Sequence, residues 1–384
     1  MRKHLKSSWL TVLALALTVS NGMQAQGHGE HNHENELEEV HHTAATNESV
    51  AEDVKDEAFN PTPVIMEHIA DSHGFHVYGE GHDAVSVPLP VILWTDNGLV
   101  TFMSSEFHHD VEGHHIVEKN GMSFVNLHED IYQLEAGAEH VEFNEDHHPK
   151  NASLPLDFSI TKNVFTLLMA AVFMLLIFIP VASGYKKGRQ VPKGLASFME
   201  PLVVFVRDDI AIPNIGEKKY ARFMPLLLTM FFLIWMLNLI GLVPFYPFSA
   251  NMSGNIAFTM SLAVVTLLVT NFSGNKGYWK HIFAAPGVPW WILPIMIPVE
   301  LIGVLTKPFA LMIRLFANIT AGHIIVLSLI SLIFIFESVF MAGVSVPFAL
   351  FISTLELLVA ALQAYIFTML TALFIGTAVA EDHH

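Results

Sequence analysis

Residues 312 to 330 read MIRLFANITAGHIIVLSLI. The run is apolar enough to lie in a bilayer, yet it holds Arg314 and His323 well inside it. An ionisable side chain at the centre of a membrane helix costs about 2.5 to 3.5 kcal/mol on insertion scales, so each one asks for a reason. Further apolar runs surround this one, at about 164–181, 223–244, 256–269, 290–340 and 346–380, in a chain of 384 residues that is 52% hydrophobic. The fold class they imply is an all-α polytopic membrane protein with about five membrane-embedded helices. The last two runs exceed a perpendicular crossing, so they are expected to form a long tilted hairpin, joined at residues 341–346.

Charge fixes an expected orientation. The connection after the first run carries Lys186, Lys187, Arg189, Lys193, Arg207, Lys218, Lys219 and Arg222, whereas the next short loop, FYPFSANMSG, has neither Lys nor Arg. Lys276 and Lys280 follow the third run, and the turn near 338–346 is again free of Lys and Arg. Positively charged loops remain cytoplasmic, which puts the amino-terminal region outside the cytoplasm and the carboxyl terminus inside it. Within the first basic connection, LASFMEPLVVFVRDDIAI is amphipathic enough to lie on the membrane surface.

The first 26 residues have a basic start, an apolar stretch from Trp9 and small residues near Ala25, the layout of a secretory signal. Residues 27–58 are acidic, rich in histidine and poor in large apolar side chains, so disorder is expected there. From 59 to 156 apolar residues return, and Asn97-Gly98 between two β-rich runs signals a hairpin in a small β-containing extracytoplasmic domain. Residues 157–384 then form the membrane domain. Of 36 acidic residues, 26 fall between Gly27 and Lys150, together with 17 of the 22 histidines. Adjacent histidine pairs scattered among glutamates have no fixed ligand geometry, so no metal site is assigned. Cysteine is absent, which removes disulfides and thiolate sites.

Geometry sorts the ionisable groups of the last two runs. Glu300, Lys307 and Arg314 recur every seven residues, so they share a helical stripe, with Asn318 one turn on. His323 lies about 13 Å along the axis from Arg314 and on roughly the opposite face. On the last helix Glu356 and Gln363 share a face. With a turn at 341–346, His323 comes level with Gln363, and Glu356 sits about two turns nearer the outer surface. Glu337, near the uncharged turn, reads as solvated. Histidine and carboxylate titrate near ambient pH and suit a proton relay, whereas arginine keeps its charge and would separate two half-pathways.

The stretches LTKPFALMIRLFANITAGHIIVLSLI, LELLVAALQAYIFTMLTALFIGTA and NLIGLVPF together resemble the a subunit of F-type ATP synthases over about residues 157–384. The resemblance implies that Arg314 is the separator that meets a rotor carboxylate, with Asn318 beside it. It implies an entry pathway through His323, Glu356 and Gln363, an inner-side acid at Glu300, and a weaker channel-lining role for Asn238. His323 and Glu356 stand exchanged relative to some bacterial members, and Ala317 replaces a glycine common in the motif. A ring of c subunits, the b subunits of the peripheral stalk, other ATP synthase subunits and membrane lipid are the implied partners. No cofactor and no nucleic acid are expected. The chain has no GxxxxGK[ST] phosphate loop, so nucleotide is not expected to bind it. A histidine-rich zinc or cation transporter is the alternative, but it would place ligands one helical turn apart within the spans, and His323 is the single histidine there. A structural scaffold with an adhesion domain is the third class, and it has no use for Arg314.

Overall fold

The computed structural model describes residues 60–380 apart from 79–84, 139, 145–148, 187–192, 244–245, 249 and 284–288. The expected signal segment and the histidine-rich segment lie outside the described residues. The chain enters through helix α1 (Pro61–Ile69), started by Pro61 and by Asn60, whose side chain accepts a hydrogen bond from the Thr62 amide at 3.1 Å. Proline with its fixed φ and an Asn cap satisfy a helix start that the short sequence could not sustain alone.

Among the described residues nine short strands follow: β1 (Gly74–Tyr78), β2 (Val85–Pro88), β3 (Pro90–Thr95), β4 (Gly98–Met103), β5 (Val117–Lys119), β6 (Met122–Leu127), β7 (Asp130–Leu134), β8 (Ala152–Ser153) and β9 (Leu156–Asp157). They pair as β1-β2, β4-β3-β9 and β5-β6-β7-β8. Strand β3 shows the period of two: Val91, Leu93 and Thr95 are buried while Trp94 is 55% exposed. The hairpin expected at Asn97-Gly98 is present but shifted by one residue. Thr95 pairs with Gly98, so Asp96 and Asn97 form the turn, and Gly98 takes the positive φ of 110° on the strand side of it.

The membrane part contains α2 (Lys162–Lys186), α3 (Leu195–Phe205), α4 (Ile212–Ile215), α5 (Tyr220–Gly241), α6 (Ile256–Phe272), α7 (Lys276–Phe283), α8 (Leu293–Ile335) and α9 (Val339–Val379). Among the described residues four of these are long and apolar enough to cross a membrane, or five if α6 and α7, bent by 103°, count as one. The stretch expected to lie on the membrane surface is α3, a wider turn at 206–211 and α4, and it buries Val206, Ile210 and Ala211 against α5 and α9.

Helices α8 and α9, 43 and 41 residues long, pack antiparallel on each other. At 1.5 Å per residue each runs about 60 Å, twice the hydrocarbon thickness, so both must tilt steeply. Helix α9 packs on α5 and α4 along Ala360, Ala364, Thr368, Ala372 and Gly376, a small residue every fourth position. Small side chains bring helix backbones close where no hydrophobic effect drives association. At Gly376 the approach is tight enough that a Cβ would strike the Asn214 carbonyl. The carboxyl end of α9 is tied down by Lys219 Nζ and Asn275 Nδ2, each donating to the Val379 carbonyl at 2.8 Å.

One expectation about the hairpin is corrected. The turn lies at residues 336–338, not 341–346, and Glu337 adopts a left-handed φ of 45° there. Helix α9 simply continues through Gly343 and Pro347, because lipid-facing backbone has no other way to satisfy its hydrogen bonds. Glu337 itself is exposed, as its position near the turn suggested.

Candidate functional site

The earlier turn changes which residues meet. His323 on α8 is level with Glu356 of α9, not with Gln363: its Nδ1 lies 3.5 Å from Glu356 Oε1, with side chains 14% and 9% exposed. Among the described residues that carboxylate oxygen accepts no hydrogen bond, so the imidazole is its closest ionisable contact. A carboxylate and an imidazole so placed share one proton more readily than they hold two charges, since each charge alone is costly in a low-dielectric setting.

The room for this pair comes from Gly322. A Cβ there would run into the Glu356 carboxylate. Sequence reasoning passed over this residue, although a glycine preceding the span's only histidine was the available signal. Two turns along α9 from Glu356, Gln363 is buried at 3% exposure. Between them, the Ala360 carbonyl accepts from Asn238 Nδ2 at 3.3 Å, while Asn238 Oδ1 accepts from Ser253 Oγ at 2.5 Å. Asn238 therefore joins α5 to α9 beside the pair, with both ends of its amide engaged.

Arg314 faces elsewhere. It is exposed, as is Asn318 one turn on, and it makes no ion pair or hydrogen bond with any described residue. Nine residues at 100° each carry it to the face opposite His323, as the spacing required. The neighbours Leu311, Met312 and Leu315 are buried at 2%, 2% and 0%, so the helix backbone that carries Arg314 is firmly packed.

Toward the amino end of α8, Glu300 meets a partner the sequence reading did not name. His281 of the short α7 places Nδ1 3.4 Å from Glu300 Oε1, with side chains 63% and 32% exposed. The 103° bend between α6 and α7 is what folds His281 back toward α8. Lys307, on the same stripe, sits 5.8 Å over the Phe374 ring, a cation-π contact that accounts for its charge without an acid.

Among the described residues no group of three or more His, Asp or Glu could hold a metal ion. The arrangement is suited to moving protons between paired imidazole and carboxylate groups on the two sides of a fixed cation.

Comparison with known proteins agrees in extent with this half of the molecule. The family model described as ATP synthase A chain matches residues 164–376, and a Domain of unknown function (DUF8433) matches residues 64–158. ATP synthase subunit a of Chloroherpeton thalassium is 52% identical over 245 residues, covering 62% of this chain and 72% of the relative. ATP synthase subunit a 2 of Prosthecochloris aestuarii is 46% identical over 283 residues, covering 72% of this chain and 81% of the relative. ATP synthase subunit a of Myxococcus xanthus is 47% identical over 235 residues, covering 60% and 76%. The zinc transporter alternative gains no support from these matches. With more than half of its length matched by the family model and relatives of this similarity, the chain belongs to the ATP synthase A chain family.

Proposed function

We infer that this multi-pass membrane protein works as the proton-translocating stator subunit of an F-type ATP synthase, and that Arg314 separates its two half-pathways. The observation that carries the reading is the pairing of a fixed cation, without a partner among the described residues, on one face of α8 with a buried imidazole-carboxylate pair on the opposite face. An arginine exposed on a membrane helix and lacking a partner among the described residues calls for a carboxylate on another polypeptide. Helix α8 supports that: in its most apolar stretch 11% of the residues are buried within the chain, against 61% in α5. A face so bare belongs against another protein or lipid.

In this reading the outer pathway runs past His323 and Glu356, with Gln363 beyond them, and delivers a proton to a carboxylate on a ring of c subunits. The neutral carboxylic acid then crosses lipid as the ring turns. On the inner side the proton leaves near Glu300 and His281, and the freed carboxylate is attracted to Arg314 before reloading. Each charge moved across 100 mV releases only about 2.3 kcal/mol, so many small steps must add up before ATP forms in another part of the complex. Besides the ring, the b subunits of the peripheral stalk hold the chain in place, in a bacterial inner membrane with the β-rich domain outside.

Substitution Arg314→Ala in the assembled complex tests this. Proton-driven ATP synthesis is expected to fall to background while the complex still copurifies. Retained synthesis in Arg314→Ala would overturn the separator role.

A further inference from the structure

The sheet β4-β3-β9 turns its two faces to different surroundings. Val91, Leu93, Val100 and Phe102 point into the domain core, against Phe107 and Phe124. The alternate side chains point outward, and they are apolar too. Leu99 lies across from Trp94 and Trp94 from Leu156, one residue from each strand, at 55%, 55% and 65% exposure. Thr101 stands across from Ile92, and Met103 from Pro90. The ladder runs on past β9: the Phe158 amide donates to the Ile92 carbonyl at 2.8 Å and the Ile160 amide to the Pro90 carbonyl at 3.1 Å. Phe158 and Ile160 therefore extend the second and third rows, and Phe158 and Met103 are exposed as well. No charged side chain falls within the three rows. Asp157 is drawn to the buried His73, 3.4 Å away on the other face, and Asp96 sits in the hairpin turn.

This bare face is braced against the start of a membrane helix. Ile160 lies two residues before Lys162, the first residue of α2, and four residues of extended chain carry Phe158 at most about 14 Å from it. Polar contacts lock the join. The Asp71 carboxylate accepts from the Thr161 hydroxyl and from the Asn163 amide, each at 3.1 Å, and Lys162 Nζ donates to the His68 carbonyl at 3.1 Å. Beyond the join α2 leaves Leu168, Val172 and Leu176 exposed, in a helix whose apolar stretch is 28% buried within the chain. An apolar sheet face and an apolar helix side thus follow one another across a fixed connection.

We propose that the outer face of the β4-β3-β9 sheet rests on the bilayer, its side chains among the headgroups and upper acyl chains beside α2. A soluble domain rarely leaves an apolar face of this extent in water. A protein partner would be expected to bring about one hydrogen bond per 100 to 200 Å² of interface, whereas among these side chains only Thr101 and the Trp94 indole offer a donor. Tryptophan suits the lipid boundary, with its ring in the apolar layer and its N–H toward water. The domain is then held at two places, by the join at α2 and by the lipid under its sheet. This inference does not depend on the proton pathway.

The chain has no cysteine, so single thiols can report position. Trp94→Cys, Leu99→Cys and Leu156→Cys are labelled with an environment-sensitive bimane in the intact complex in lipid vesicles, and label taken up by the wild-type complex is subtracted. Asn97→Cys at the hairpin turn and Glu118→Cys on β5 serve as references. Emission at 94, 99 and 156 should be blue-shifted against both references and should fall several-fold when the lipids carry a nitroxide near the headgroup, while the references stay unquenched. Emission matching the references would overturn the proposal. So would blue-shifted emission that the nitroxide lipid fails to quench, since that marks a protein, another subunit or a second copy of this chain, over the face. Each position is read independently, and failure of all three variants to assemble would also overturn it, because lipid tolerates a cysteine where a packed protein contact does not.

Discussion

Two histidine-glutamate pairs flank Arg314 along α8, and they differ chiefly in burial. His323 and Glu356 lie 3.5 Å apart at 14% and 9% exposure, while His281 and Glu300 lie 3.4 Å apart at 63% and 32%. The chemistry is the same and the setting is not. A buried pair resists carrying charge and must exchange protons with whatever reaches it, whereas an exposed pair equilibrates with bulk water and is screened by it. On the proposed pathway the buried pair would therefore be the controlled end and the exposed pair an open outlet.

Breaking the buried pair should have the larger effect. Glu356→Gln removes the titratable group and is expected to lower proton-driven ATP synthesis by about 10²-fold, the low end for losing a positioned acid-base group. Synthesis rates in vesicles with matched amounts of complex would check it. Exchanging the pair, with His323→Glu and Glu356→His together, keeps one acid and one imidazole and should recover part of that loss.

Gly322→Ala sharpens the comparison, because it alters no titratable group. The added methyl group displaces the Glu356 carboxylate. A several-fold loss of synthesis is expected, although alanine favours a helix over glycine by roughly 0.5 to 1 kcal/mol. Activity falling while thermal stability holds or rises would be its signature. At the exposed end, His281→Ala should change the rate by less than about fivefold, since exposed ion pairs contribute about 0.2 to 1 kcal/mol.

A third histidine, in the β-rich domain, gives the smallest expected effect and one visible only in stability. Burial pulls the His73 imidazole down, but Asp157 and Glu129 outweigh it and push it up from 6.5 to about 9. The folded domain thus binds the proton more tightly than the unfolded chain does. That stabilisation is complete below about pH 6.5 and is lost as the pH rises toward about 9. Thermal unfolding followed between those limits should show a falling midpoint, and His73→Gln should flatten the dependence.

Much of this was legible in the residues themselves. Arg314 and His323, nine apart, had to face opposite ways, and they do. The level of the hairpin was not legible, because Gly343 and Pro347 resemble a turn while the break occurs at Glu337. In lipid, helices run through such residues, and that error set His323 against Gln363 when its contact lies nearer the turn, at Glu356. His281 was invisible because it lies on a separate short helix, reaching Glu300 only through a sharp bend. The every-fourth small residues of α9 were open to reading as a packing stripe, and they explain why α9 buries Glu356 and Gln363 at all.

The central claim is that the Arg314 face of α8 lies against a moving acid on another polypeptide. The chain has no cysteine, so Asn318→Cys introduces a single thiol one turn from Arg314. Paired with single cysteines placed beside the ring carboxylate, it should form a disulfide cross-link to the ring subunit on mild oxidation. A thiol at 318 that never cross-links, and that reacts freely with a membrane-impermeant maleimide as if in open water, would contradict the account.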